Sequence, residues 1–553
     1  MCGFSAYYGK MPYGFIKDGF STRYRGPDNS QFKEVNQKVG LLFHRLAIVG
    51  LGRDGNQPLN VDNVWMVCNG EIYNHKELFE EHGFTNSSGS DCEIIIHLYK
   101  RYGMRDALKM LDGVFALFLY DEDNDEAFFA RDPFGVRPAF YGLSKDSLAI
   151  ASEAKAIQYS FEKIHHVVPG TFISTKDPGK QIYYYDINRE LSLSSNSAFK
   201  KSSEEELLRE VRWRLVDAVE KRLMSEREIG CLLSGGLDSS LIASLVSHMS
   251  KGNRLIRGKD SDEWQHFSEL EIPYKLKTFS IGMEGSPDLD FADKVADWIG
   301  SDHHRVQLTE ENFLSAVNQT IWVTESYDTT TVRASVGNYL VSKYVSENTD
   351  CKVVFNGDGS DEVCCGYVYN ANAPSDEALQ QEALRLVREI YLFDVLRSDR
   401  SISSNGLEAR TPFLDKAFVE LYLSIDPSLK SFDKKDRIEK DLLRRAFELD
   451  ELLPKEILWR HKCAFSDGVS SAKKSWHKTL QAEVDGFISD KMFEKMRSVI
   501  KNCRPDLKES LHYREIHSQF FSSSMNQIIP HFWLPRWTDV KDPSARELDS
   551  HVE

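Results

Sequence analysis

No uncharged apolar run in the sequence reaches the roughly 18 residues that a membrane-spanning helix needs. The N-terminus, MCGFSAYYGK, has neither the charged n-region nor the apolar h-region of a secretory signal. These absences predict a chain of the cytoplasm, in which the glycosylation-type triplets at Asn86 and Asn318 go unread. Glycine and proline, at 33 and 17 residues, are in no excess, which excludes collagen-like and low-complexity chains. Cysteine is scarce and odd in number, at 2, 68, 92, 231, 351, 364, 365, 463 and 503, with no zinc-type CxxC pair. The only close pair, Cys364-Cys365, has neither metal-ligand spacing nor the geometry of an ordinary disulfide, so reduced thiols are expected. No repeat with a period of 20–50 residues is found. Positive charge is also short, with 69 Lys and Arg against 85 Asp and Glu and a net charge of −16. A nucleic-acid or anionic-membrane surface would have to be a local exception to that field, so neither partner is expected, and small polar ligands are.

What is present is length. At 553 residues the chain exceeds the roughly 250–300 at which one hydrophobic core stops growing, so two or three domains are predicted. A composition of 41% hydrophobic and 28% charged residues is that of a globular protein. Residues 1–190 carry short β-type runs between turns, among them KVGLLFHRLAIV, NVWMVCNGEIYN and GVFALFLYDED, with one helical stretch from about Cys92 to Met110. This predicts a sheet-rich domain with a sandwich-like core. Residues 191–204, LSLSSNSAFKKSSE, read as a Ser-rich linker. Over 205–536, strand-like runs (IGCLL, LKTFSIGM, CKVVFNG) alternate with helical ones (SLIASLVSHM, DFADKVADWIG, RASVGNYLVSKYV), the pattern of an α/β domain around a parallel sheet. Residues 537–553 form a poorly patterned acidic tail.

Cys2 is a candidate nucleophile. Removing the Met before it would leave a thiol and a free α-amine on one residue, a nucleophile with its own base. Alone, a cysteine at position 2 means little. It is accompanied, in order, by RGPD (25–28), HRLAIVG (44–50), NGEIYNH (69–75), GSDCEII (89–95) and RDPFGVRP (131–138). Together with MCGFSAYYG these blocks resemble the class II glutamine amidotransferases, N-terminal-nucleophile (Ntn) glutaminases with an αββα sandwich. The resemblance implies that the Asn69 side-chain amide and the Gly70 backbone N–H form an oxyanion hole, the two donors that amide hydrolysis requires. It assigns the carboxylate of glutamine to Arg45 and its ammonium to Asp91 with Glu71.

Residues 229–248, IGCLLSGGLDSSLIASLVSH, read as strand, tight loop and helix. Ser234, Gly235, Gly236, Leu237, Asp238 and Ser239 place two glycines and two hydroxyls ahead of a helix N-terminus, where free N–H groups favour phosphate. GxxxxGK[ST] and GxGxxG are both absent. The loop resembles the SGGxDS loop of ATP pyrophosphatases, whose fold is an adenine-nucleotide α-hydrolase-like parallel sheet with helices. Beside a triphosphate, Asp238 can hold Mg²⁺ through oxygen. A second loop, Asn356-Gly357-Asp358-Gly359-Ser360-Asp361-Glu362, follows strand CKVVF. Ligands of open parallel sheets gather at the carboxyl ends of strands, so the two loops are expected to face one another.

A class II glutaminase joined to an SGGLDSS domain resembles the glutamine-hydrolysing asparagine synthetases, and later blocks such as NGLEARTPFLD (405–415), PKEILWRHKCAFSDG (454–468) and WTDVKDPSARE (537–547) extend the likeness over almost the whole chain. The resemblance implies glutamine, aspartate and ATP as substrates, Mg²⁺ as cofactor, and an ammonia-producing and an ammonia-consuming half joined by a water-poor passage. It places Leu233, Ile281, Asn356 and Gly357 on the nucleotide, and Thr330 and Arg333 on phosphate or intermediate. Glu362 and Tyr367 fall near the acyl group, and Lys462 near the developing negative charge. Where the family carries SGEGSDE this chain has NGDGSDE, so Asp358 stands for a glutamate tied to adenylate formation and Asn356 for a serine. Loss of a methylene withdraws that carboxylate by roughly 1.5 Å, so either the loop moves inward or this half is slowed. Two alternatives stay open, a ligase amidating another carboxylate and a non-catalytic glutamine or ATP sensor, as does a homodimer.

Overall fold

The computed structural model describes residues 1–194, 203–258, 261–433, 437–462, 468–470 and 475–543. Most of the expected linker, residues 463–467 of the lysine block and the tail beyond 543 lie outside the described residues.

The N-terminal half holds twelve strands: β1 (Gly3–Gly9), β2 (Asn29–Asn36), β3 (Val39–Arg45), β4 (Leu59–Val61), β5 (Val64–Ile72), β6 (Gly113–Asp121), β7 (Glu126–Arg131), β8 (Phe140–Leu143), β9 (Ser147–Ala151), β10 (Ile164–His166), β11 (Thr171–Ser174) and β12 (Ile182–Tyr183). They form two antiparallel six-stranded sheets, ordered β10-β8-β9-β1-β3-β2 and β12-β11-β7-β6-β5-β4. The period of two along β5 and β6 decides their packing. Val67, Ala116 and Phe118 turn inward against Phe4 and Ala6 of β1 and Phe43 of β3. Met66, Cys68, Leu117 and Leu119 turn outward against Ile95, Leu98 and Leu108 of helix α2 (Ile94–Met110), beside α1 (His75–His82). The outer face of the other sheet, at Tyr7 and Leu42, is covered by Phe15 of a short helix, Phe15–Gly19. This is the expected αββα sandwich with one helical layer thinned.

The C-terminal half is built on a parallel sheet of β13 (Ile229–Leu232), β16 (Lys277–Met283), β17 (Asp302–Leu308), β18 (Val353–Phe355) and β19 (Glu408–Arg410), in the order β17-β16-β13-β18-β19. Its helices include α3 (Glu204–Glu220), α4 (Leu237–Ser250), α5 (Thr329–Asn348) and α6 (Asp394–Ser403). The first strand is central and the chain leaves it in both directions, so the topological switch point lies between β13 and β18. An additional antiparallel hairpin, β14 (Lys251–Ile256) and β15 (Glu263–Glu271), follows α4. No helix among the described residues is long and apolar enough to cross a membrane.

A helix, Ile187–Ser194, crosses from the expected first domain into the segment expected as a linker from 191. Within the tail, Asp542 accepts from Arg333 at 2.7 Å and from Gln481 at 2.6 Å.

Candidate active sites

In the N-terminal half, β1 and β5 bring the head of the chain against Asn69. The Cys2 backbone N–H donates to Asn69 Oδ1 at 2.8 Å. Asn69 Nδ2 is then left buried without a partner among the described residues, a donor available to an oxyanion. Gly70 has to be glycine, because an added Cβ would lie 2.3 Å from the Val114 carbonyl oxygen across the ladder. Burial pushes the Cys2 thiol up to about 11 against the pull of the nearby terminal ammonium, so activation needs an adjacent base. Asp91 opens the turn before α2 and accepts from the Ile72 N–H at 2.7 Å. Burial, with Glu408 and Asp91 nearby, holds the Glu71 carboxyl well above the usual range, and burial raises Asp91 despite that N–H. Glu71 Oε2 is buried without a hydrogen-bond partner among the described residues, so the two acids suit a cation. Arg45, at the end of β3, is gripped by the loop that follows. Its guanidinium donates to the carbonyls of Gly50 and Gly52 (2.8 Å to the latter) and to Asn56 Oδ1 at 2.9 Å.

In the C-terminal half one cavity opens at the switch point. It is lined by Leu233, Ser234, Gly236, Asp238, Ser239, Ile281, Thr330, Asn356, Gly357, Asp358, Tyr367 and Lys462, so most of the residues expected there are brought together. The two loops do face one another: Ser360 Oγ donates to Asp238 Oδ1 at 2.8 Å, and an added Cβ on Gly357 would sit 2.7 Å from the Ser239 nitrogen. Gly235 shapes the turn instead of lining the cavity, with a φ of +71° and its carbonyl accepting from Arg460 at 2.8 Å. Thr330 Oγ1 is buried without a partner among the described residues. Lys440 Nζ bridges Asp238 and Asp361 at 2.6 Å each, and Lys462 pairs with Asp361 and lies 3.8 Å from Asp238. Burial opposes these charges, but the pairs outweigh it, lowering the pKa of Asp361 and raising those of both lysines. Glu362 lies behind the lining, accepting from the Tyr367 hydroxyl at 2.6 Å, with its pKa raised well above normal by burial and then by Asp394 and Asp361.

Arg333 is not brought to this cavity. It is buried on α5 in a bidentate pair with Glu509, 2.8 Å from Nε to Oε1, and reaches Asp542 as well. Two carboxylates on facing loops, Asp238 and Asp361, with lysines balancing them, fit Mg²⁺ shared with phosphate oxygens, since Mg²⁺ ordinarily takes only one or two protein carboxylates. No set of three or more His, Cys, Asp or Glu able to hold a metal by itself occurs among the described residues.

Between the two sites the expected water-poor boundary is buried but densely charged. The Met1 ammonium lies 3.3 Å from Glu408, which also pairs with Arg410 at 2.6 Å. Arg25 bridges Glu153 and Asp399 at 2.8 Å each, joining the two halves.

The asparagine synthase family model matches residues 210–377 and 369–526, and the glutamine amidotransferase domain model matches 1–168. The asparagine synthetases [glutamine-hydrolyzing] of Rattus norvegicus and Gallus gallus are each 42% identical to this chain over 573 aligned residues, covering 99% of it and 98% of the relative. The chain belongs to the glutamine-hydrolysing asparagine synthetase family. Among solved structures, a glutamine PRPP amidotransferase from B. subtilis complexed with ADP and GMP gives a TM-score of 0.30 at 17% identity, over 55% of this chain and 81% of that one, too slight a likeness to argue from.

The sequence reading missed Lys440, Arg397 and Asp394, which line the cavity, and Glu408, which faces the chain's N-terminus. Lys440 lies in RIEKDLLR, where it reads as one more surface lysine, yet its side chain is 2% exposed. Only its left-handed φ of +59° ahead of a short helix, Asp441–Ala446, sets it apart.

Proposed function

We propose that this chain makes asparagine in the cytoplasm from aspartate, Mg-ATP and the amide nitrogen of glutamine, with a glutaminase unit at 1–190, a linker at 191–204, a synthetase unit at 205–536 and a C-terminal tail at 537–553. The observation that carries the reading is one chain holding both an unpartnered amide donor, Asn69 Nδ2, beside Cys2 and a lysine–carboxylate cage at a parallel-sheet switch point.

Glutamine would place its carboxylate toward Arg45 and its ammonium between Glu71 and Asp91, which sets the side-chain amide against Cys2. Once Met1 is removed, the α-amine of Cys2 takes the thiol proton as sulfur attacks, and Asn69 Nδ2 with the Gly70 N–H holds the oxyanion. Collapse releases ammonia, and water then frees glutamate. In the other half the β-carboxylate of aspartate attacks the α-phosphorus of ATP, expelling pyrophosphate and leaving β-aspartyl-AMP. Mg²⁺, held by Asp238 and Asp361, would neutralise phosphate charge. Lys440 and Lys462 stabilise the charge that develops on the same oxygens. Ammonia, with its lone pair intact, attacks the acyl carbon, and AMP departs.

The test is product analysis with ATP, Mg²⁺, glutamine and aspartate. Asparagine together with AMP is expected, and glutamate as the only product would overturn the synthetase assignment. Cys2→Ala is expected to lose glutamine-dependent synthesis and keep ammonia-dependent synthesis. Loss of both would refute the division between the halves.

A further inference from the structure

The loop that aims Arg45 is held from the other half of the chain. Gly50, at its turn, has a φ of +63° and is boxed in: an added Cβ would meet the Gly89 carbonyl oxygen at 2.6 Å. Its carbonyl accepts from Arg45, and its N–H donates to Glu226 Oε1 at 2.5 Å. Two further bonds run beside this one. The Glu226 N–H donates to the Ile48 carbonyl at 3.0 Å, and Arg227 Nε donates to the Ala47 carbonyl at 2.9 Å. Residues 47, 48 and 50 are thus all fastened by two consecutive residues of the synthetase half. Those residues lead directly into β13 (Ile229–Leu232), the strand that ends in the phosphate loop.

We infer that Glu226 is a positioning residue for glutamine, and that the glutamine pocket is a two-domain site completed by the segment ahead of β13. Glu226 touches no substrate and acts through Gly50. Its carboxylate fixes the peptide whose carbonyl orients the Arg45 guanidinium, the group that receives the glutamine carboxylate. The inference rests on the glutamine reading given above. Because the bond is solvent-accessible, its loss should weaken glutamine binding without unseating either core.

The experiment is steady-state kinetics on the full chain carrying Glu226→Ala and, separately, Glu226→Gln. Glu226→Ala should raise KM for glutamine about fivefold, the weight of one exposed hydrogen bond. Its kcat at saturating glutamine and its ammonia-dependent synthesis should stay within twofold of the parent. Glu226→Gln, which keeps an acceptor oxygen, should lie nearer the parent than Glu226→Ala. A KM within twofold of the parent for Glu226→Ala would overturn the inference. So would a parallel fall in ammonia-dependent synthesis, which reports general loss of structure, or equal impairment by Glu226→Gln. If the parent itself releases no glutamate from glutamine, the glutamine reading fails first and this inference goes with it.

Discussion

The carboxylate of Asp358 lines the nucleotide cavity while its Oδ1 accepts from Arg397 at 3.1 Å, and Arg397 is held in turn by Asp394 at 2.6 Å. The Asp358 carboxylate thus stays at the cavity wall on a fixed guanidinium. The loop keeps its own brace, with Asn356 Nδ2 donating to Ser398 Oγ at 2.8 Å and Asn356 Oδ1 accepting from the Asp358 N–H at 3.3 Å. A carboxylate at this wall acts on the attacking aspartate through its charge as well as its placement, and losing a well-placed group, like misplacing it by about 1 Å, can cost roughly 10²-fold. Asp358→Asn is therefore expected to lower aspartate- and ATP-dependent pyrophosphate release by roughly 10²-fold, while Asp358→Glu, with its longer reach, holds at least the parent rate. Pyrophosphate release over time measures both.

At the scale of elements, the synthetase cavity depends on how closely the loops after β13 and β18 approach. Gly357 sets that distance, because a Cβ there would meet backbone atoms of Asp238 and Ser239 at 2.7–2.8 Å, and backbone cannot give way as a side-chain tip can. Gly357→Ala should push the loops apart, raising KM for ATP by 10-fold or more, on the order of one lost charge-assisted contact, with glutamate release from glutamine unchanged. Parallel glutaminase and ATP-dependent assays separate the two effects. These loops were legible in the sequence because the chemistry of a turn is local: an apolar strand, paired glycines and hydroxyls, then a helix. The hairpin β14–β15 was not, since EWQHFSELE is mostly exposed and charged, without the clean alternation that a buried face imposes. Arg333 was drawn toward the phosphates by likeness, but a guanidinium takes its partners from distant chain, here Glu509 and Asp542. Lys440 and Glu226 escaped for the same reason, since their partners lie on other elements.

At the scale of the molecule, the two halves meet through ion pairs that remain charged though buried. Burial alone would raise the Glu408 carboxyl, but Arg410 and Arg137, together with the terminal ammonium while Met1 is in place, hold it at about 2. A carboxyl depressed in the folded state adds stability that is fully present above its ordinary value near 4.5 and is lost as the pH falls toward 2. Denaturant midpoints followed from pH 7 to 3 should fall in the parent and fall less steeply in Glu408→Gln, which starts lower because it strands buried cations. An identical slope in both would place the acid sensitivity elsewhere. The bonds that cross from residues 226 and 227 bear on another matter, whether the glutaminase can be treated as a detachable cassette. Cut free and grafted onto a foreign acceptor enzyme, it would leave behind the carboxylate that steadies Gly50 and the Arg410 cation 3.7 Å from Glu71. An ammonia source transplanted from this chain would have to carry copies of those two short stretches of its neighbour along with it.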